Sequence, residues 1–243
     1  MFKDQRFVAH IDILGMSVLV EKDPDLAWQL LSALVEARNQ AHNTEITFVD
    51  TAERVAAPDQ IQAVTFSDTI ILFSKGTALV DLRTIVILTT ELLNKALHLC
   101  VPIRAGIAVG TFFFNPKWSM YAGPALIEAY RLGEEAQWIG IATSEEVFRR
   151  AEEAEFKSGS HHVVIRSCIP VEGGTRDGYA VNWPAIGRKN LTATLPVSAA
   201  QVYEGFAQYF GPFNELATKV RTKYEHTAWF INQRGAFQET HRK

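Results

Sequence analysis

The sequence predicts an α+β fold of the split-βαβ, ferredoxin-like type, with a mostly antiparallel sheet and a helical C-terminal extension. Three observations predict it. Strand-like and helix-like segments follow one another roughly as β-α-β-β-α-β. Two β-rich runs, from Ile61 to Phe66 and from Thr69 to Phe73, are separated only by Ser67-Asp68, which is a hairpin signal. From Ala199 the pattern turns helical, with Tyr203, Phe206, Phe210, Phe213, Leu216 and Val220 as its apolar set. On this reading residues 1–190 form the sheet domain, and residues 191–243 form a helical extension packed on it.

Along the chain, Arg6 to Leu14 mixes Phe7, Val8, Ile11, Ile13 and Leu14 with one acid, Asp12, and reads as a buried strand ending at Gly15. Asp23-Pro24 marks a helix start, after which Leu26, Leu30, Leu34 and Ala37 recur at helical spacing towards Asn43. Val55 to Gln60 reads as loop. Leu79 to Leu99 is a long apolar-periodic helix, and Val101 to Gly110 a strand. Gly123 to Gln137 is a helix, Gly140 to Thr143 a short strand, and Ser144 to Glu155 a helix capped by Ser144 with Val147 turned inward. His161 to Cys168 and Tyr179 to Trp183 are further strands, the second entered through Gly173-Gly174. The order of elements predicts helices on one face of the sheet.

Composition narrows the function classes. With 47% hydrophobic and 21% charged residues the chain has the balance of a folded globular protein, and a net charge of −3 argues against a nucleic-acid binder. Cys100 and Cys168 have neither zinc-ligand nor redox spacing and read as core thiols. The N-terminal stretch carries Lys3, Asp4 and Arg6 and reads as neither signal peptide nor membrane span, and no other segment is long enough to span, so a cytoplasmic protein is expected. His10, His161 and His162 share no ligand spacing and read as strand-end or surface residues.

Two acids in apolar strand sequence, Asp12 and Asp68, carry the sharpest chemical signal. A carboxylate removed from water needs a partner worth several kcal/mol. Two of them on neighbouring strands suit a hard divalent ion such as Mg²⁺ or Mn²⁺, held jointly with substrate phosphates. The plainer reading pairs Asp12 with Arg104 and leaves Asp68 as a turn residue. Gly15, followed by Met16 and Ser17 before a helix, could bring backbone N–H groups close to phosphate oxygens, or simply end the strand. Arg104, on a strand of Val, Ile, Ala and Gly, must find an anion, from the protein or from a phosphate. Arg131 lies on a helix with Ile127, and Glu128, Glu134 or Glu135 could pair with it.

Four segments in order resemble the class III nucleotidyl cyclases: HIDILGMS their first metal motif, FSDTIILF their metal-bearing hairpin, IRAGIAVG their arginine-bearing strand, and YAGPALIEAYRL with GIATSEEVF their dimer arm, helix and following strand. The resemblance runs from about Phe7 to Trp183. It implies a nucleotidyl cyclase domain that makes a 3′,5′-cyclic monophosphate and pyrophosphate from a nucleoside triphosphate. It implies two Mg²⁺ or Mn²⁺ ions per site on Asp12, Asp68 and the Ile13 carbonyl, and a phosphate-binding turn at Gly15, Met16 and Ser17. Arg104 would contact the triphosphate and Arg131 would stabilise the transition state, across the interface of a homodimer with composite sites.

The departures from that pattern concern the base and the phosphate. Ile127 stands where the family has a ribose-positioning Asn. Met120 and Val64 stand where adenylate members carry groups that read adenine, which disfavours that base. The family's late triphosphate lysine falls near Glu172, with Arg176 as a neighbouring substitute. These features are similar to the pyrimidine cyclases of bacterial Pycsar antiphage systems, which implies UTP as the favoured substrate, cyclic UMP as a defence messenger, and CTP as the alternative. A degenerate nucleotide-binding sensor is the non-enzymatic alternative. Thr65, Phe66 and Tyr121 flank the matched positions and are the candidates for reading the base.

Overall fold

The computed structural model describes residues 2–48, 53–186 and 197–239. The chain opens with strand β1 (Phe2–Ile13), four residues longer at its start than its apolar run predicts. Gly15, at φ 76°, turns it into the short helix α1 (Met16–Lys22). Helix α2 (Pro24–His42) begins with Asp23 accepting from the Leu26 N–H and with Pro24 at its first position, as the sequence signal requires. A small hairpin of β2 (Glu45–Phe48) and β3 (Glu53–Ala56) follows, then a single helical turn α3 (Ala57–Gln60). The stretch expected as loop therefore has structure: Val55 and Ala57 are buried, and their spacing is too short to show a period.

The hairpin of β4 (Ile61–Phe66) and β5 (Thr69–Ser74) turns at Ser67-Asp68, where Ser67 adopts a left-handed φ of 54°. Helix α4 (Leu79–His98) leads to β6 (Ile103–Asn115), which outruns its expected end and folds back through a tight turn at Pro116–Trp118 into β7 (Met120–Ala122). Helix α5 (Pro124–Glu135), β8 (Ile141–Thr143) and α6 (Glu145–Glu153) complete the core, the Ser144 hydroxyl accepting from the Val147 N–H. A two-residue ladder, β9 (Lys157–Ser158) with β10 (His161–His162), precedes the hairpin of β11 (Val164–Val171) and β12 (Gly174–Val181). The helical turn α7 (Trp183–Ile186) ends that part. The extension contains α8 (Ala199–Tyr203), α9 (Ala207–Phe210) and the long α10 (Thr218–Glu239). The boundary expected at 190 lies outside the described residues.

The main sheet runs β11-β12-β8-β6-β1-β5-β4, with β7 attached to β6. Only β6 and β8 are parallel, joined by the α5 crossover. Alternation along β1 separates two cores. Phe7, Ala9, Ile11 and Ile13 face Leu82, Ile85 and Leu92 of α4 and Leu30 and Leu34 of α2. Val8 faces the other way, into a cluster with Phe73, Phe112, Phe114 and Ala125 of α5. The helices are thus not all on one face: α2 and α4 cover one side, and α5 lies on the other. Its approach is allowed by small residues. A Cβ at Gly106 would stand 2.0 Å from the Ala129 carbonyl oxygen, whereas one at Gly110 would meet the Ala125 methyl at 3.6 Å.

Three side chains depart from expectation. Cys168 is exposed on the outer strand β11, and Cys100 is half-buried in a turn with φ 56°. His10 is buried mid-strand, with its ring edge-on to Tyr130 at 5.2 Å. The extension docks through aromatics, Phe230 packing on Trp138 at 4.7 Å and Tyr203 on Tyr224 at 4.8 Å.

Overpacking at Gly106 should be the sensitive probe of the α5 contact. Gly106→Ala is expected to cost roughly 2–3 kcal/mol and Gly110→Ala under ~1 kcal/mol in urea unfolding, and equal costs would contradict the close approach of α5.

Candidate active site

The site candidates gather where β1 ends. Asp12 sits opposite Arg104 in the β1–β6 register and opposite Thr69 in the β1–β5 register, so its cross-strand neighbour is the guanidinium. Arg104 Nε donates to Asp12 Oδ2 at 3.0 Å, Nη1 donates to the Glu134 backbone carbonyl at 2.8 Å, and Nη2 donates to the Glu134 carboxylate. Arg104 is only 8% exposed, so these acceptors replace its water. Asp12 therefore has the internal ion-pair partner of the plainer reading, and Glu134, expected only as a neighbour of Arg131, joins it.

Asp68 reaches the same place by a backbone route. The Ile13 N–H donates to the Asp68 carbonyl oxygen at 3.2 Å, which stitches the hairpin tip to the end of β1. The Asp12 carboxyl is pushed up from its ordinary value first by burial, while the Arg104 charge opposes the shift and the Glu134 and Asp68 charges add to it. Asp12 and Asp68 are thus near enough to feel each other. Among the described residues no group of three or more His, Cys, Asp or Glu side chains could hold a metal ion. An all-oxygen pair of carboxylates fits a hard divalent ion only if phosphate oxygens complete its shell, and Arg104 already holds one Asp12 oxygen.

The other expected residues divide. Gly15 takes the left-handed conformation a tight turn needs, Met16 is buried and Ser17 is exposed. The ring of Phe210, from the extension, lies 3.4 Å from where a Cβ of residue 15 would be. Arg131 is exposed on α5 and makes no described contact with Asp12 or Asp68. Ile127, one turn before it, and the adjacent Tyr130 are exposed too, as are Trp118 and Met120 of the β6–β7 arm. Arg176 is tied to Glu135 at 2.5 Å, and Glu172 to Lys219 at 3.2 Å.

The base-reading candidates are not brought together. Thr65 lines a groove of about 430 Å³ with Trp28, Leu31, Val35 and Ser67, on the α2 side of the sheet. Tyr121 packs near Phe73 at 5.9 Å on the opposite face, with Val64. Phe66, at the hairpin tip, is 80% exposed.

One residue had no sequence signal. Lys223 of α10 is half-buried and forms no ion pair among the described residues. Its ammonium is pushed down first by burial and then by the Arg104 charge, with Asp12 and Glu134 opposing. It thus stands beside the Asp12–Arg104–Glu134 cluster.

No protein-family model and no curated protein matches this chain. Solved structures do match it in fold. The catalytic core of a rhodopsin-guanylyl cyclase with converted specificity, in complex with ATPαS, aligns at 13% identity and TM-score 0.51, over 74% of this chain and 96% of that one. An adenylate/guanylate cyclase/hydrolase from Silicibacter pomeroyi aligns at 16% identity and TM-score 0.48, over 74% and 98%. The chain is thus α+β with a mainly antiparallel sheet, and its fold is similar to that of the rhodopsin-guanylyl cyclase catalytic core. No described helix is long and apolar enough to cross a membrane.

His10 offers a pH test of the site's packing. Burial lowers its pKa below the ordinary 6.5, the Glu134 and Asp68 charges opposing and the Arg104 charge assisting. Between the lowered value and 6.5 the unfolded chain binds more protons than the native one, so the contribution to stability is lost as pH falls through that window. The unfolding free energy should therefore drop more between about pH 7.5 and pH 5 in the wild type than in His10→Gln. Identical slopes would show that the imidazole titrates normally.

Proposed function

We propose that this chain is a divalent-metal-dependent nucleotidyl cyclase, acting on a nucleoside triphosphate as a homodimer with composite sites. The observation that carries the reading is the meeting of Asp12 and Asp68 at the end of β1, beside the buried Arg104. Asp12, Asp68 and the Ile13 carbonyl are the groups that would hold Mg²⁺ or Mn²⁺. The chemistry such ions supply when bound is Lewis acidity, easing loss of the ribose 3′-hydroxyl proton and offsetting triphosphate charge. The turn at Gly15, Met16 and Ser17 and the Arg104 guanidinium are assigned to the triphosphate, whose arrival would give Arg104 a new anion in exchange for Asp12.

The dimer reading is supported by α5. Arg131 is exposed on α5, as are the apolar Ile127 and Tyr130 of the same helix and Met120 and Trp118 of the arm, and exposed apolar side chains in such number suit an interface. Across such an interface Arg131 would face the α-phosphate of a substrate held by the partner subunit and stabilise charge that develops there.

UTP is the favoured substrate, with CTP second. Support comes from Val64 and Met120, apolar residues that offer the adenine edge no hydrogen-bond partner. Val64 lies on the same face of the sheet as Tyr121, so these two are better placed together than either is with Thr65, while Met120, adjacent to Tyr121 on β7, belongs to the other face. Use of the cyclic product as an antiphage messenger in the cytoplasm rests on the resemblance to the Pycsar enzymes. Two observations favour a second reading, a nucleotide-binding sensor without turnover: Asp12 is already paired with Arg104, and Ile127 has no polar group to position a ribose.

Purified protein incubated with each of the four triphosphates and Mn²⁺ should release a cyclic monophosphate and pyrophosphate, fastest from UTP. Binding without product would select the sensor. Asp12→Ala and Asp68→Ala should each abolish product formation with far-UV circular dichroism unchanged, and activity surviving in either variant would remove the metal assignment. Arg131→Ala should lower kcat by roughly 10²–10³-fold with little change in KM. Mixing Asp12→Ala with Arg131→Ala protein should restore part of the activity, and failure to complement would refute the composite site.

A further inference from the structure

We propose that Lys223, on the C-terminal helix, is a phosphate-binding residue of the site at the end of β1, so that the extension completes the substrate pocket of its own protomer. The inference rests on the cyclase reading for the identity of the ligand.

The geometry begins with how α10 is held. His226 Nδ1 hydrogen-bonds the Gln137 carbonyl at 2.8 Å, and the Thr227 hydroxyl accepts from the Ile139 N–H at 2.9 Å. Both contacts fall on the segment that leaves α5 just after Glu134. Residues 223, 226, 227 and 230 recur at helical spacing on one face, and Phe230 on that face packs against Trp138. Lys223, one turn before this anchor, is thereby placed on the face of α10 that meets the segment following α5, within range of the charges of Arg104, Asp12 and Glu134.

The lysine's environment points to an anion. Lys219, one turn earlier, is exposed and has its own carboxylate in Glu172 at 3.2 Å. Lys223 is partly withdrawn from water yet forms no ion pair among the described residues. An ammonium in that state costs free energy unless a counter-charge arrives. The acids nearest to it, Asp12 and Glu134, are both taken by Arg104. A polyphosphate entering beside Asp12 would supply that counter-charge. Arg176, the substitute that the sequence offers for the family's lysine, is held by Glu135.

The same extension also reaches the turn on the other side of the site, where the Phe210 ring lies against Gly15. Phosphates bound there would be bounded by Phe210 and met by Lys223.

The test uses the full chain and inorganic tripolyphosphate with Mg²⁺, which carries the charge without the base or the chemistry. In isothermal calorimetry Lys223→Met should weaken binding about tenfold or more, Lys223→Arg should recover most of it, and Lys219→Met should stay within about twofold of wild type. With UTP, Lys223→Met should raise KM. Unchanged tripolyphosphate affinity in Lys223→Met would overturn the proposal, as would wild-type protein that does not bind tripolyphosphate. Because Met keeps the lysine's aliphatic stem, folding should survive; should it not, Lys223→Gln gives the same reading. Tripolyphosphate binding that depends on Lys223 without cyclase turnover would keep the lysine and discard the cyclase. Turnover indifferent to Lys223 would do the reverse.

Discussion

The clasp of Arg104 between Asp12 and Glu134 is the constraint around which the site is built. A guanidinium 8% exposed has given up its water, so its donors must find acceptors in the protein. Its partners come from two elements: the neighbouring β1 through Asp12, and α5 through both the backbone and the side chain of Glu134. One cation therefore fixes the height of α5 over the sheet at its C-terminal end, while Gly106 and Gly133 let the backbones approach at the same level. Without Arg104, Asp12, Asp68 and Glu134 would repel one another in a partly desolvated space. Such an ion pair contributes little net stability compared with apolar packing, but it specifies which groups lie together. It also sets the terms for a ligand, since a cation at Asp12 and an anion at Arg104 arriving together exchange partners and leave neither charge unpaired.

Much of the fold was legible because the elements that build it are long and periodic. The hairpin at Ser67-Asp68, the helix started by Asp23-Pro24 and the cap at Ser144 all stand where the chain signals them. The shortest elements and one placement were not read. The β2–β3 hairpin, the turn of helix at 57–60 and the β9–β10 ladder each span too few repeats to establish a pattern. The placement of α5 on the face opposite α4 does not follow from element order, although its cause was in the sequence. Gly106 and Gly110 on β6 and Ala125, Ala129 and Gly133 on α5 are the small residues that a close helix–sheet contact demands. Period-two alternation would likewise have separated Thr65 from Val64, since adjacent strand residues cannot share a face.

In the site, legibility follows the length of the physical argument. Asp12, Asp68 and Arg104 stand out because each is a charge inside an apolar strand, and such a charge announces a partner. Glu134 is one acid among several on a polar helix face, and only the depth of α5 selects it over Glu128 and Glu135. Lys223 is one of many charges on an amphipathic tail. Its burial depends on where α10 docks, and that is decided by Phe230, Trp138, His226 and Thr227 rather than by anything adjacent to the lysine.

The two arginines of the site illustrate how environment assigns work to the same side chain. Arg104 is satisfied at home, by acceptors from its own chain, and any role in binding must begin by loosening those contacts. Arg131 is free of such ties in the described contacts and stands on an exposed face beside Ile127 and Tyr130. Apolar groups in that position cost free energy in water that a second surface would return. A buried, paired cation suits holding a ligand that brings its own counter-charge. An exposed cation framed by apolar residues suits a site that exists only once two surfaces close over it, where the loss of water strengthens its effect on developing charge. The division of labour that we propose between one protomer and its partner thus matches the different burial of the two guanidinium groups.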